Sequence, residues 1–181
     1  MLKLFAKTYD ITSLTINKPT GYAIQKDLVF NFLDLIEKFK ADEKKKPREE
    51  QVKFNLRNIT IKNGEFHYAE DQTPVAVFIK NVNIKSPGFR YNVDTMLVDF
   101  AFKSGIGSGE ILGNININLR NQNFKLDVLV DTFDLEIINQ YTKDLTTNAT
   151  LSAFLDADLK TTGNFNTKDS IAVSGNFAIS D

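Results

Sequence analysis

The chain has 181 residues, enough for one domain or for one segment of a longer array. Its 42% hydrophobic and 25% charged content is that of an ordinary folded domain, and a net charge of −1 with scattered Lys and Arg offers no basic face for nucleic acid. Cys is absent, which excludes a disulfide framework and thiolate chemistry, and no run of about 18 apolar residues exists to cross a bilayer as a helix.

Period-two alternation dominates from the start. Met1 to Thr8 alternates like a strand rather than reading as a secretion signal. Asp27 to Lys40 places Leu28, Phe32, Leu35, Ile36 and Phe39 on one helical face, with Asp27 or Asn31 as cap, and predicts an amphipathic helix near 27–40. The charged run 41–50, broken by Pro47, reads as a solvated flexible loop. Val52, Phe54 and Leu56 then alternate with polar residues, and the apolar set changes parity at Arg57-Asn58 before Ile59 and Ile61. A similar shift separates Val75, Val77 and Ile79 from Val82 and Ile84. Parity changes of this kind signal bulges or strands that change face. Asn63-Gly64 predicts a tight hairpin joining Ile59–Lys62 to Glu65–Ala69.

Further along, Gly105-Ile106-Gly107-Ser108-Gly109 reads as a hairpin turn, since no Gly-Lys-Ser/Thr ending of a phosphate loop follows it. Ile111, Ile115, Ile117 and Leu119 share a face with Gly113, opposite Asn114, Asn116, Asn118 and Arg120. After a short loop at Asn121-Gln122-Asn123, Phe124, Leu126, Val128 and Val130 repeat the pattern. A short helix is predicted near 134–145, with Ile137, Ile138, Tyr141 and Leu145 on one side. Leu151 to Leu159 and Ile171 to Ile179 close the chain as alternating strands. A word of the type polar-Gly-polar-apolar recurs at 63–66, 108–111, 162–165 and 174–177, and predicts strand starts there. Its irregular spacing is not that of a fixed-period solenoid. Both ends fall within strand patterns, which predicts a single segment, 1–181, of a longer protein.

Seven to ten strands with about four apolar side chains each present a large apolar face, worth about 25 cal/mol per Å² removed from water. Two short helices, each about 10 Å wide, are too few to cover it. The sheet can close on itself as a sandwich or barrel, continue into neighbouring β segments, or curl into an open trough.

Candidates for chemistry are few. The lone His67 sits between Phe66 and Tyr68, on the polar face near Glu65, and no nucleophile motif accompanies it. One His without Cys is not a structural zinc set. Asp156 and Asp158, about 7 Å apart on one strand, have the spacing of a carboxylate pair but read as a solvated face with Lys160. No catalytic residue, metal site or cofactor is assigned. Asn58-Ile59-Thr60 and Asn148-Ala149-Thr150 match the N-glycosylation sequon.

The order of features resembles the AsmA-like proteins of Gram-negative envelopes, including their DUF748-type relatives. The residues that carry the resemblance are the early strand Ile11 to Pro19, the helix start Asn31-Phe32-Leu33-Asp34-Leu35-Ile36 with the Lys-rich run after it, and Phe54 to Asp71 around Asn63-Gly64. Tyr141 and the strand-Gly-strand-Gly close from Ala153 to Asp181 complete it. Asp94-Thr95-Met96 and Asp169-Ser170-Ile171 resemble the short O-glycosylation motif of Bacteroidetes cell-envelope proteins. The resemblance implies a periplasmic protein whose parent is anchored in the inner membrane, with a curved β-groove passing phospholipid toward the outer membrane.

The expected fold is therefore mainly β, a long twisted antiparallel sheet curled into a groove or incomplete barrel. The expected function is a non-catalytic lipid-transfer segment that holds phospholipid or another acyl-chain lipid and joins neighbouring β segments of its parent. Alternation nominates Phe54, Leu56, Phe66, Tyr68, Ile115, Ile117, Phe124, Leu126, Val128, Leu155 and Phe177 as the lipid-contacting residues. The alternative is a scaffold or assembly factor for outer-membrane β proteins, acting through exposed strand edges.

Overall fold

The computed structural model describes residues 8–27, 29–34, 53–71, 75–90, 92–142 and 150–181. The short segments β1 (Thr8–Ile11), β2 (Leu14–Asn17), β3 (Thr20–Lys26) and β4 (Val29–Phe30) precede the long strands β5 (Lys53–Glu70) and β6 (Val75–Arg90). Then come β7 (Thr95–Ser104), β8 (Glu110–Asn118), β9 (Asn123–Asp134), β10 (Phe154–Asn164) and β11 (Thr167–Ser180). All belong to one mixed sheet that is curled and not closed. From β5 to β11 it is an antiparallel meander in chain order, the topology that short connections favour.

The remaining edge of β5 is taken by β1, β2 and β3 in succession, all parallel to it. Thr8 lies opposite Lys53, Leu14 opposite Ile59, Thr20 opposite Glu65 and Gln25 opposite Glu70, a constant offset of 45 residues. The two segments read alike at that offset. Ile11-Thr12-Ser13-Leu14-Thr15-Ile16 lies against Leu56-Arg57-Asn58-Ile59-Thr60-Ile61. The stack is tied laterally where Arg57 donates two hydrogen bonds of 2.8 Å to the two carboxylate oxygens of Asp10, and Asn58 Nδ2 donates to the Thr12 carbonyl at 2.9 Å.

The expected parity changes are present as left-handed residues, Asn58 with φ 49° and Asn81 with φ 54°. Asn63-Gly64 does not form the expected hairpin. Lys53–Glu70 runs through it as one strand. The tight two-residue turn of the expected kind needs positive φ at both central residues, and only Asn63 (φ 51°) has it. Gly64 is held straight between Val82 on one side and Pro19 on the other. The words at 162–165 and 174–177 likewise do not mark strand starts: the first closes β10, with Gly163 inside it, and the second lies in the interior of β11. Only Gly109 directly precedes a strand, closing the 105–109 hairpin.

Within the region expected to be an amphipathic helix, Val29–Phe30 form β4 against Gln25 and Lys26, and Leu33 and Asp34 are helical. Leu35–Lys40 and the loop 41–50 lie outside the described residues. Of the second expected helix, the described residues form a 3-10 turn over Leu135–Ile138, capped by Asp134, which accepts from the Glu136 N–H, and this continues as α1 (Asn139–Thr142); 143–145 lie outside the described residues.

Candidate functional site

Residues directly opposite each other in a ladder point to the same face of the sheet. Followed strand by strand, one row reads Ile16, Ile61, Ile84, Phe100, Gly113, Val128, Leu159 and Gly175. Every member is apolar or glycine. The adjacent row, one residue away on each strand, reads Thr15, Thr60, Lys85, Asp99, Asn114, Asp127, Lys160 and Ser174. Every member is polar. At this level eight strands separate apolar and polar side chains onto opposite faces, while Leu97, Leu112 and Leu129 stand elsewhere on the polar face.

Burial is concentrated on the apolar face, and on that ground we assign it as the inner, concave face of the curl. Ala23, Ser86, Ser104, Phe124, Val130 and Ala157 are buried, and the ladder places all six on that face. With no second layer in contact among the described strands, curvature and close neighbours do the shielding. Bulges supply the curvature: left-handed residues at Asn58, Asn63, Asn81 and Thr132 mark the places where strands bend and twist more tightly.

The floor of this face is paved by rings lying over glycines. Phe100 is the cross-strand partner of Gly113, where a Cβ would come within 2.6 Å of its Cζ and 2.5 Å of the Asp127 carbonyl oxygen. Phe124 stands in the same relation to Gly163, with a Cβ 2.9 Å from its ring. Phe66 faces Gly21 in the same way. Each ring fills the gap its partner's missing side chain leaves, which keeps the floor shallow. Phe124 also stacks on Phe165 at 4.6 Å, and Phe100 on Phe102 at 6.2 Å.

Nine of the eleven residues nominated by alternation share the concave face. Ile115 lies between Val98 and Leu126, and Ile117 between Met96 and Phe124. Val128 lies between Gly113 and Leu159. Leu155 faces Ile179, and Phe177 faces Ala157. Phe66 and Tyr68 face Ile79 and Val77. Leu56 pairs with Ile11 and Phe89 beyond the Asn58 bend, at the far end of β5. Phe54 pairs with Tyr9 through its backbone, and its side chain lies outside the described set. The residues missed are the centre of the face, Val98, Phe100 and Phe102 on β7 with Ile61 and Ile84. The alternation of Met96, Val98, Phe100 and Phe102 is the signal that would have found them.

The polar face carries most of the titratable groups, scattered along it, while Tyr68 and Glu70 share the face of Phe66. His67 is stacked between Tyr22 and Phe78, at centroid distances of 4.8 and 5.2 Å, and its Nε2 lies 2.5 Å from Glu65 Oε1. Asp156 Oδ1 accepts from the Thr132 N–H at 2.8 Å, so one member of the carboxylate pair ties down the β9 bulge. Among the described residues no three His, Cys, Asp or Glu gather as a metal set. The hollows of the surface are open, and one of ≈ 390 Å³ lies mainly over the polar face, lined by Leu129, Asp131, Asp156 and Asp158 together with Val130, Ala157 and Phe177.

Fold and site together define an open, curled β-sheet with one apolar and one mainly polar face. Comparison of the chain with protein-family models, with curated proteins and with solved structures finds no match.

Proposed function

We propose that the concave face is a trough for acyl chains, and that the protein is a non-catalytic lipid-carrying segment. The observation that carries this reading is the unbroken apolar row from Ile16 to Gly175. At about 4.8 Å per strand, its seven steps run roughly 34 Å. An extended acyl chain needs about half the roughly 30 Å hydrocarbon thickness of a bilayer, so the row accommodates one with length to spare. Acyl chains would lie across the strands over the glycine-backed rings, and head groups would stay at the wet rim. The AsmA-like order of features supports phospholipid as cargo, a periplasmic setting, an inner-membrane anchor on the parent, and transfer toward the outer membrane.

Lipid extraction and mass spectrometry of the purified protein test the reading. Wild type should carry phospholipid; Ile117→Lys and Leu126→Asp should lose it while keeping their β circular-dichroism signal. Wild-type protein that neither co-purifies with lipid nor takes it up from phospholipid vesicles would sink it. A second reading is a scaffold that pairs strands with other β proteins, favoured by β11 pairing with β10 alone among the described residues. In that case the two trough substitutions would leave partner binding intact.

A further inference from the structure

The strands of the meander run between two rims, and the rims differ in charge and in cover. At the rim where β5 ends, Glu70, Asp71, Glu110, Asp131, Asp134 and Glu136 gather against Lys26, Lys80 and Lys103. The helical segment 135–142 runs along this rim. The Leu135 N–H donates to the Ala153 carbonyl at 2.9 Å, and Gln140 Oε1 accepts from the Ala76 N–H at 3.0 Å. The segment thus reaches from the start of β10 to the start of β6, past the β7–β8 hairpin.

The opposite rim consists of the hairpins 90–95, 118–123 and 164–167, tied to one another. The Leu119 N–H donates to the Asp94 carbonyl at 2.6 Å, and Arg120 Nε lies 3.4 Å from Asp94 Oδ2. The Phe165 N–H donates to the Gln122 carbonyl at 3.1 Å, and Asn164 Nδ2 donates to the Asn121 carbonyl and to Asn123 Oδ1. At the start of β9 Phe124, on the concave face, stacks on Phe165.

This rim has spent its acceptors and kept its donors. Asn118 Oδ1 accepts from the Arg120 and Asn121 N–H groups, Asn121 Oδ1 from the Asn123 N–H, and Asn123 Oδ1 from Asn164. The Nδ2 groups of Asn118, Asn121 and Asn123 donate to no described residue, and each carries two donors and no acceptor. The charges agree with the amides. The carboxylates described here are each taken by an arginine, Asp10 by Arg57 and Asp94 by Arg120. The Arg90 guanidinium is exposed and has no partner among the described residues.

We infer that this hairpin rim holds the head group of an anionic phospholipid, its phosphate accepting from Arg90, Arg120 and the asparagine amides while the acyl chain continues past Phe124 into the trough. The inference rests on the trough reading and adds which rim the head group takes and what charge it bears. Phosphate oxygens are acceptors only, and guanidinium donors match them in charge and geometry. The hydrogen bonds between hairpins hold the donors in place before the ligand arrives, which lowers the ordering cost of binding. A zwitterionic head group also brings an ammonium, for which this rim has no unpaired carboxylate among the described residues. The acidic rim repels phosphate.

The probe is a vesicle of equimolar phosphatidylcholine and phosphatidylglycerol at low salt, where exposed charges are least screened. Protein-bound lipid is extracted and its composition read by mass spectrometry. Wild type should carry several-fold more phosphatidylglycerol than phosphatidylcholine. Arg90→Gln/Arg120→Gln should bring the ratio close to that of the vesicles, while bound lipid and the circular-dichroism spectrum persist. Lys26→Gln/Lys103→Gln, an equal loss of charge at the acidic rim, should keep the wild-type ratio. Excess inorganic phosphate should leave bound phosphatidylglycerol in place; displacement would make the rim a free-phosphate site and overturn the lipid assignment. Lipid bound in the vesicle ratio overturns the inference and leaves the trough reading standing. So does a preference that survives Arg90→Gln/Arg120→Gln or falls equally in the lysine pair. Absence of bound lipid overturns both.

Discussion

Lys18 and Asn63 stand at the same step of two stacked strands and share one left-handed backbone conformation, with φ of 50° and 51°. The Lys18 N–H donates to the Lys62 carbonyl at 2.7 Å, and the Glu65 N–H donates to the Pro19 carbonyl at 2.8 Å, so the ladder closes on both sides of the irregularity. The next strand follows suit. The Asn63 N–H donates to Asn83 Oδ1, Asn83 Nδ2 donates to the Asn81 carbonyl, and Asn81 itself has φ 54°. A kink confined to one strand would break pairing with its neighbours. Kinks aligned across strands bend the sheet as a unit, and this shapes the concave face.

Asn63 should therefore tolerate glycine and reject a β-branched residue. A left-handed backbone costs an ordinary L-residue about 1–2 kcal/mol, a cost that Asn partly and Gly wholly escapes. Asn63→Val should lose about that much in urea unfolding, and Asn63→Gly well under half of it. Equal midpoints for the two variants would mean that the left-handed step at Asn63 is not a constraint.

The alternation of apolar and polar residues made the one-sided sheet legible, because side-chain direction depends only on residue parity and local bulges. That nine of the eleven nominated residues share one face followed from it. Asn63-Gly64 misled because hairpin preference is local, whereas the straight path is imposed by Pro19 and Val82 on either side of it. The resemblance between Ile11–Ile16 and Leu56–Ile61 was present in the sequence. It emerged only when pairing placed the two segments side by side, since one repetition of a pattern of β-branched and polar residues looks like composition. Which face is concave was not legible: curvature comes from the bulges acting together.

Gly113 should be among the least replaceable residues of the sheet. A Cβ there meets the Asp127 carbonyl oxygen at 2.5 Å, an atom of the neighbouring strand's backbone that no rotamer change can move. Gly113→Ala should cost about 1–3 kcal/mol, the usual range for overpacking. Phe100→Leu removes the ring contact but not the backbone one, so adding it to Gly113→Ala should restore only part of the loss. Full restoration in chemical denaturation would assign the conflict to the ring alone.

Asn31→Ala should expose the β3 edge. It removes one acceptor and one donor that serve the Ile24 N–H and the Tyr22 carbonyl, each hydrogen bond contributing about 0.5–1.5 kcal/mol. The edge is solvent-accessible, so water replaces part of the loss and global stability should fall by less than the sum. Amide exchange is the sharper readout. The Ile24 amide should exchange at least tenfold faster in Asn31→Ala while Phe100 and Val128 keep their protection. Unchanged exchange at Ile24 would show that Asn31 is not what seals this edge.

Neighbouring residues on β8 allow a test in which only the face differs. Asn114 lies between Asp99 and Asp127 in the polar row, and Ile115 lies between Val98 and Leu126 on the concave face. Asn114→Lys places a cation between two carboxylates and should stabilise the sheet by about 0.2–1 kcal/mol, with bound lipid unaffected. Ile115→Lys puts the same charge among apolar side chains. Because its neighbours are half-buried, the long lysine stem can reach the rim, so the protein should stay folded with a loss of about 2 kcal/mol. Its ammonium would then cross the path of an acyl chain, and lipid content measured by mass spectrometry should fall several-fold. Equal lipid content in the two variants would separate the apolar row from lipid binding and leave it a purely structural face.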